Sequence, residues 1–252
     1  MRIEHIYRYP VKGLTPEALD EAEVETGGAL PWDRAFALAQ GDTPFDPARP
    51  EWLHKSNFMC LLRNARIARL RAALDPSRRV LVISAPDGGA IAADPTTPQG
   101  QGQLGAFLAA YLGEEARGTP RFHHVPGHVF GDSKQPTVTL INLATVAAFG
   151  TDIGAARDRM RFRANLYFAG AAPWSEFDWV GRELQVGTAR LRVFKRTIRC
   201  AATQVNPATG ERDADPVREL RTAYGHAELG VHAEVVEGGR FASGDAIEVL
   251  PS

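Results

Sequence analysis

Residues 195–213 read Lys195-Arg196-Thr197-Ile198-Arg199-Cys200-Ala201-Ala202-Thr203-Gln204-Val205-Asn206-Pro207-Ala208-Thr209-Gly210-Glu211-Arg212-Asp213, the densest concentration of chemistry in the chain. A strand over Leu191 to Lys195 is expected to run into a loop in which Lys195, Arg196 and Arg199 surround Cys200. Cations beside a thiol favour the thiolate, the form that binds metal or attacks sulfur. A soft thiolate suits a sulfur-rich molybdenum centre. Taken alone, a cysteine in a turn is more often structural. The basic neighbours and the Asn206-Pro207 and Thr209-Gly210 turn signals narrow that margin without reversing it.

Outward from this loop the pattern is one of short strands. Glu183 to Gly187 and Ala189 to Phe194 predict a hairpin turning at Gly187. Downstream, Val217 to Tyr224 predicts a helix, and Gly230 to Glu237 and Ala246 to Leu250 predict strands. Upstream, Val138 to Ile141 and Phe162 to Ala169 read as strands, with a helix over Leu143 to Phe149 capped by Asn142. The N-terminal part repeats the pattern at Met1 to Val11, Leu19 to Glu25, Arg34 to Ala39 and Val80 to Ser84, while Leu61 to Leu70 fits strand or helix equally. Gln103 to Leu112 has helical spacing. The stretch Gly113 to Pro126 is rich in Gly, Pro and charge and suggests a linker, dividing the chain into 1–118 and 119–252. The expected fold is β-rich α+β, with strands recurring between turns as in a barrel.

Composition narrows the function. The 252 residues are 44% hydrophobic and carry a net charge of −1, so no general field draws nucleic acid or membrane. No leader-like segment opens the sequence, and a cytoplasmic location is expected. Two cysteines, Cys60 and Cys200, cannot supply four thiolates to a zinc or iron–sulfur site within this chain. Gly100 to Gly105 contains no nucleotide fingerprint.

The run Arg199-Cys200-x-x-Thr203-x-Val205-Asn206-Pro207-x-Thr209-Gly210, then Asp213, resembles the signature of MOSC domains. Tyr224-Gly225-His226, Gly230-Val231, Gly238-Gly239 and Gly244-Asp245 continue it. Tyr9-Pro10-Val11-Lys12-Gly13 and Asp33-Arg34 are similar to the N-terminal β-barrel segment that precedes MOSC in the mitochondrial amidoxime-reducing component and its bacterial relatives. Arg161-Phe162-Arg163-Ala164-Asn165 matches the family's Arg-Phe-Arg-Pro-Asn run. The resemblance implies an N-terminal β-barrel domain followed by a MOSC β-barrel domain, with a molybdenum cofactor between them. It implies Cys200 as molybdenum ligand and Lys12, Arg34, Asp132, Ser133, Arg163, Asn165 and Arg199 as cofactor contacts. Arginine and lysine suit a pterin phosphate, and a buried amide suits a pterin edge. It also implies reduction of N-hydroxylated or N-oxide compounds. Bacterial relatives often carry a C-terminal ferredoxin domain, and this sequence has none, so a separate ferredoxin- or flavin-reductase-type donor is expected. The alternative is a cofactor carrier or sulfur-transfer protein with a persulfide on Cys200. Pyridoxal phosphate is not expected.

This sequence departs from the family at Gly13, where relatives often carry Ser, at Ala164 for Pro, at His232 for Tyr, and at Asn206 for Asp. Asn206 stands at a catalytic position and keeps hydrogen bonding without charge. Other candidates weigh less. His226 reads as a loop histidine before a proton donor, and His123-His124 with His128 as linker residues before a metal cluster. Cys60 reads as inert core, and Trp174 and Trp179 as walls of a substrate mouth.

Overall fold

Alternating apolar and polar residues drive most of this chain into strands, because successive side chains on a strand point to opposite faces. A computed structural model describes residues 1–251 and is a β-rich α+β fold with three helices. The N-terminal part contributes β1 (Arg2–Arg8), β2 (Glu17–Leu19), β3 (Glu21–Val24), β4 (Phe36–Ala39), β5 (Arg71–Asp75), β6 (Val80–Ser84) and β7 (Ala90–Ala93). Then follow α1 (Pro98–Leu112), β8 (Arg121–His124), β9 (Val138–Asn142), α2 (Leu143–Asp152), β10 (Leu166–Ala169), β11 (Glu183–Val186) and β12 (Ala189–Ile198). The chain closes with α3 (Pro216–Tyr224), β13 (Glu228–Glu237), β14 (Gly239–Ala242) and β15 (Ile247–Val249).

An eight-stranded sheet in the order β15-β11-β12-β13-β9-β10-β1-β2 dominates the molecule. Its strands are antiparallel except for β9 and β10, which α2 joins as a parallel pair. The first two strands therefore complete the sheet of the C-terminal half, and β3 pairs with β14. One core lies on this sheet, with Ile3, Leu140, Phe168, Leu191 and Phe241 fully buried. A second belongs to the N-terminal half, where β5-β6-β7, the β4–β8 pair and α1 enclose Phe36, Leu38, Met59, Leu81 and Leu104.

Helix ends follow local chemistry. Asn142 caps α2 by accepting from Ala144 N at 3.1 Å, as its position suggests. Helix α1 begins five residues before the expected Gln103, because Thr97 accepts from Gly100 N at 3.1 Å and Pro98 pre-sets the first turn. That capping outweighs the poor helix propensity of Gly100 and Gly102. The ambiguous Leu61–Leu70 segment holds a 3-10 turn at Ala65–Arg69. The expected strand from Phe162 starts only at Leu166, since a 3-10 turn at Arg159–Phe162 ends in a left-handed Arg163. His123 and His124 lie on β8, paired to β4, and not in a linker. Their strand is buried against Phe45, Trp32 and Phe36, and burial lowers the pKa of both imidazoles. No described helix is long and apolar enough to cross a membrane.

Candidate functional site

Strand β12 delivers Lys195, Arg196, Thr197 and Ile198 along one wall of a cleft of about 280 Å³ between the two halves. Cys200 then caps a 3-10 turn at Ala201–Gln204, with its carbonyl accepting from Thr203 N at 3.0 Å and Thr203 Oγ1 at 2.9 Å. The Arg199 guanidinium lies beneath this loop. It donates to Phe162 O at 2.7 Å and through two nitrogens to Leu229 O, fixing the strand that leads into the thiol. Burial lowers Arg199 to about 10, still well above neutrality. Gly230 makes that packing possible: its φ is +75°, and a Cβ there would meet Leu140 O and Ile141 at 2.6 Å.

The opposite wall comes from the N-terminal half. The turn after β1 places Lys12, only 6% exposed, so that its Nζ donates to Phe130 O at 2.9 Å and to Asp132 Oδ1 at 2.5 Å. Burial would raise Asp132, but Lys12, Lys55 and Arg34 outweigh it and hold the carboxylate well below its usual range. Lys55 bridges the two halves: its Nζ donates to Cys200 Sγ at 3.3 Å and stands 3.6 Å from Asp132 Oδ2. Burial would lower Lys55, yet Asp132 and then Cys200 raise it. Ser133 accepts from Lys195 Nζ at 3.0 Å. His232 reaches Thr137 Oγ1 at 3.4 Å, and burial together with Lys195 and Arg199 lowers it to about 3, so its ring is neutral at neutral pH.

Arg34 and Arg163 meet over Tyr9. Their guanidinium carbons lie 4.6 and 4.3 Å from its ring centroid, and Arg34 Nη2 donates to Arg163 O at 3.2 Å. Both have a left-handed φ of 51°, a strained conformation for a residue with a Cβ. Asp33 pairs with Arg34 and accepts from Tyr9 N at 2.7 Å.

Eight cationic side chains and two carboxylates line the cleft. Seven of the eight cations already have a side-chain hydrogen bond or ion pair. Arg161, for instance, binds Asp213 at 2.5 Å and Gln204 O at 2.9 Å. Arg163 has neither among the described residues, and burial pushes its guanidinium down from its ordinary value. Resting on the face of Tyr9 and only partly buried, this guanidinium keeps its hydrogen-bond donors free for an anion in the cleft.

Of the residues expected at the site, Lys12, Arg34, Asp132, Ser133, Arg163, Arg199 and Cys200 all line this cleft. Asn165 and Asn206 do not. Asn165 is fully buried and closes β1 against β9 and β10, accepting from Thr139 N at 3.1 Å and donating to Tyr7 O at 3.1 Å. Asn206 shapes its own turn, accepting from Ala208 N at 2.9 Å and donating to Asp213 Oδ2 at 2.7 Å. Trp174 and Trp179 also lie away from the cleft, packed on Tyr224 and on Phe168. His226 accepts from Glu228 N at 3.2 Å in that same aromatic cluster. Cys60, 6% exposed, is core on one side and cleft wall on the other, and burial raises its thiol. Lys55 is the residue that sequence reasoning missed. It sits in a short 3-10 turn, Lys55–Asn57, inside no recognisable motif.

Two family models match successive parts of the chain. The model of the MOSC N-terminal beta barrel domain matches residues 1–114, and that of the MOSC domain matches residues 126–248. A molybdenum cofactor sulfurase of Anopheles gambiae is 35% identical over 65 residues, covering 26% of this chain and 8% of that protein. Among solved structures, the YUAD protein of Bacillus subtilis superposes at a TM-score of 0.46 and 14% identity, over 98% of this chain and 94% of its own. YiiM from Geobacillus stearothermophilus does so at 0.36 and 14% identity, over 45% and 54%.

Proposed function

The chain belongs to the MOSC family, its MOSC N-terminal beta barrel domain leading into a MOSC domain, and from that premise we propose that the cleft holds a molybdenum–pterin cofactor and that the protein reduces N-hydroxylated or N-oxide compounds. The observation that carries this reading is the Arg163 guanidinium, which lines the cleft on the face of Tyr9 with no side-chain hydrogen bond or ion pair among the described residues, while every other cation there has one. The residues present fit the group. Cys200 offers the thiolate ligand to molybdenum, and Arg163 with Arg34 offers donors to the pterin phosphate. Lys12 with Asp132, and Lys195 with Ser133, hold the cleft in shape through their mutual bonds. Arg199, Asn165 and Asn206 act at one remove, fixing the loop and strands that present these groups.

When bound, the cofactor supplies a two-electron oxygen-transfer centre. Overall, the N–O bond of the substrate breaks, two electrons and two protons are consumed, and water leaves with the amine or amidine. The chain's part is to bind, orient and shield. Lys55 holds Cys200 Sγ in a fixed place, and the neutral His232 presents a hydrogen-bonding ring without adding charge. The electrons come from a ferredoxin- or flavin-reductase-type donor, because two cysteines in these 252 residues cannot hold an iron–sulfur relay.

A second reading has its own support. Cys200 is half-buried with an ammonium on its sulfur, an arrangement that also suits a persulfide carrier, and the curated relative matched over 65 residues is a sulfurase. One experiment separates the two. Protein from a cofactor-producing host is assayed for turnover of an amidoxime with reduced methyl viologen, and for sulfide release under mild thiol treatment. The reductase reading expects turnover. Sulfide release without turnover establishes the carrier instead.

A further inference from the structure

Ile198 is 73% exposed, the most open large aliphatic side chain among the described residues. It stands at the cleft mouth, two residues before Cys200, with Lys195 and Arg196 exposed beside it on β12. Across the mouth, Leu61 and Leu62 line the cleft and lead directly to the exposed Arg63. Arg212 ties the two edges together, donating to Ala201 O and Leu61 O at 2.8 Å and to Leu62 O at 2.9 Å. On the third side Ser133 lines the cleft, and the next residue, Lys134, is exposed.

The charge on this rim is unbalanced. Four exposed cations, Arg63, Lys134, Lys195 and Arg196, line the cleft or adjoin its lining residues, in a chain whose net charge is −1. Neither Arg63 nor Lys134 has a side-chain hydrogen bond or ion pair among the described residues. The nearby acids are already engaged: Asp132 by Lys12, Asp213 by Arg161 and Glu228 by Arg196, leaving Glu211 exposed. An exposed aliphatic with exposed cations near it, Arg63 and Lys134 among them unpaired, has the composition of a transient interface, with an apolar anchor and a mainly cationic steering rim.

We propose that this rim is the docking surface of an acidic one-electron carrier protein, an inference that rests on the reductase reading above. The carrier's carboxylates face Arg63, Lys134 and Arg196, and Ile198 packs into its apolar contact. Two successive encounters supply the two electrons that N–O cleavage consumes, and the carrier is oxidised by one electron in each.

The test titrates a purified plant-type [2Fe–2S] ferredoxin into the full chain by calorimetry at increasing salt, alongside dye-driven turnover. Binding is expected to weaken with salt, and to fall by about tenfold or more in Arg63→Glu/Lys134→Glu. Ile198→Ser is expected to weaken it about tenfold as well. Turnover with reduced methyl viologen stays unchanged in Arg63→Glu/Lys134→Glu. Equal ferredoxin binding by the wild type and the double variant overturns the proposal. So does a short DNA duplex that binds as tightly as the ferredoxin with the same loss, because the rim is then a general polyanion surface. Wild-type protein that binds ferredoxin through the rim but turns nothing over with the dye contradicts the reductase reading and supports the docking surface alone.

Discussion

Two arginines two positions apart, Arg161 and Arg163, carry opposite duties. Arg161 is 8% exposed and anchored to Asp213, Thr203 O and Gln204 O, so it holds the Cys200 loop. Its replacement by Ala leaves two carbonyls unanswered and Asp213 with only Asn206, and is expected to cost about 1–3 kcal/mol in urea denaturation. Arg163 supports nothing by hydrogen bonding, so Arg163→Ala costs under about 1 kcal/mol of stability. It does remove a charge-assisted contact worth roughly 1.5–3 kcal/mol to an anionic ligand, and the pterin content of purified protein falls by about tenfold or more. Equal stability losses in the two variants would refute this division. The Arg161-Phe162-Arg163 run shows two cations in the sequence; only the left-handed turn at Arg163 decides which one faces the cleft. Lys55 was illegible for a related reason, since its contact to Cys200 spans 145 positions. Away from the cleft, Glu176 is fully buried with Oε1 unpartnered and Oε2 accepting from Thr145 Oγ1 at 2.9 Å. Burial raises its pKa from the ordinary 4.5. The folded state therefore binds the proton more tightly than the unfolded state, and this stability is present at acid pH and lost as pH rises through the folded value. Glu176→Gln is thus expected to be more stable relative to wild type at about pH 7.5 than at about pH 4. A pH-independent difference in urea midpoint would contradict the burial argument.

The elements of the fold were mostly legible, because period-two alternation marks strands such as β6 and β12 and turn residues punctuate them. What the pattern could not show was local conformation set by long-range contact. The turn after β1 is the clearest case. Gly13 has a φ of +89°, and a Cβ there would lie 2.9 Å from Ile67 Cδ1 and 3.0 Å from Met59 O. This explains a departure visible in the sequence, Gly where relatives often carry Ser: here the N-terminal core closes too tightly on the turn for any side chain. Gly13→Ser is expected to destabilise by roughly 1–3 kcal/mol and to move Lys12 away from Asp132, although it restores a residue common among relatives. A neutral or stabilising effect on the thermal midpoint would show that the turn has room.

At the scale of the whole molecule, the two halves expected from the sequence share their sheets. β1 and β2 extend the C-terminal sheet beyond β10, β3 pairs with β14, and Ile3 and Ile6 belong to the sheet's core. Strand pairings between segments distant in sequence leave no local periodicity, so the sequence alone could not reveal this exchange. Residues 119–252 expressed alone lack β1 and β2 from the large sheet, β3 from beside β14 and β4 from beside β8, and are expected to give a molten, dye-binding state without dispersed amide signals; a well-dispersed spectrum would mean that the C-terminal half folds by itself. The same interlocking places Lys12, Arg34 and Lys55 opposite Arg163 and Cys200 in one fixed cleft. The central claim, that this cleft holds a molybdenum–pterin group through Cys200, is tested most directly by metal analysis of wild type and Cys200→Ala purified from a cofactor-producing host. Molybdenum is expected in the wild type and its loss in Cys200→Ala, with the fold intact by circular dichroism and a midpoint lowered only by the lost cofactor. Equal molybdenum in both proteins, or none in the wild type, would contradict it.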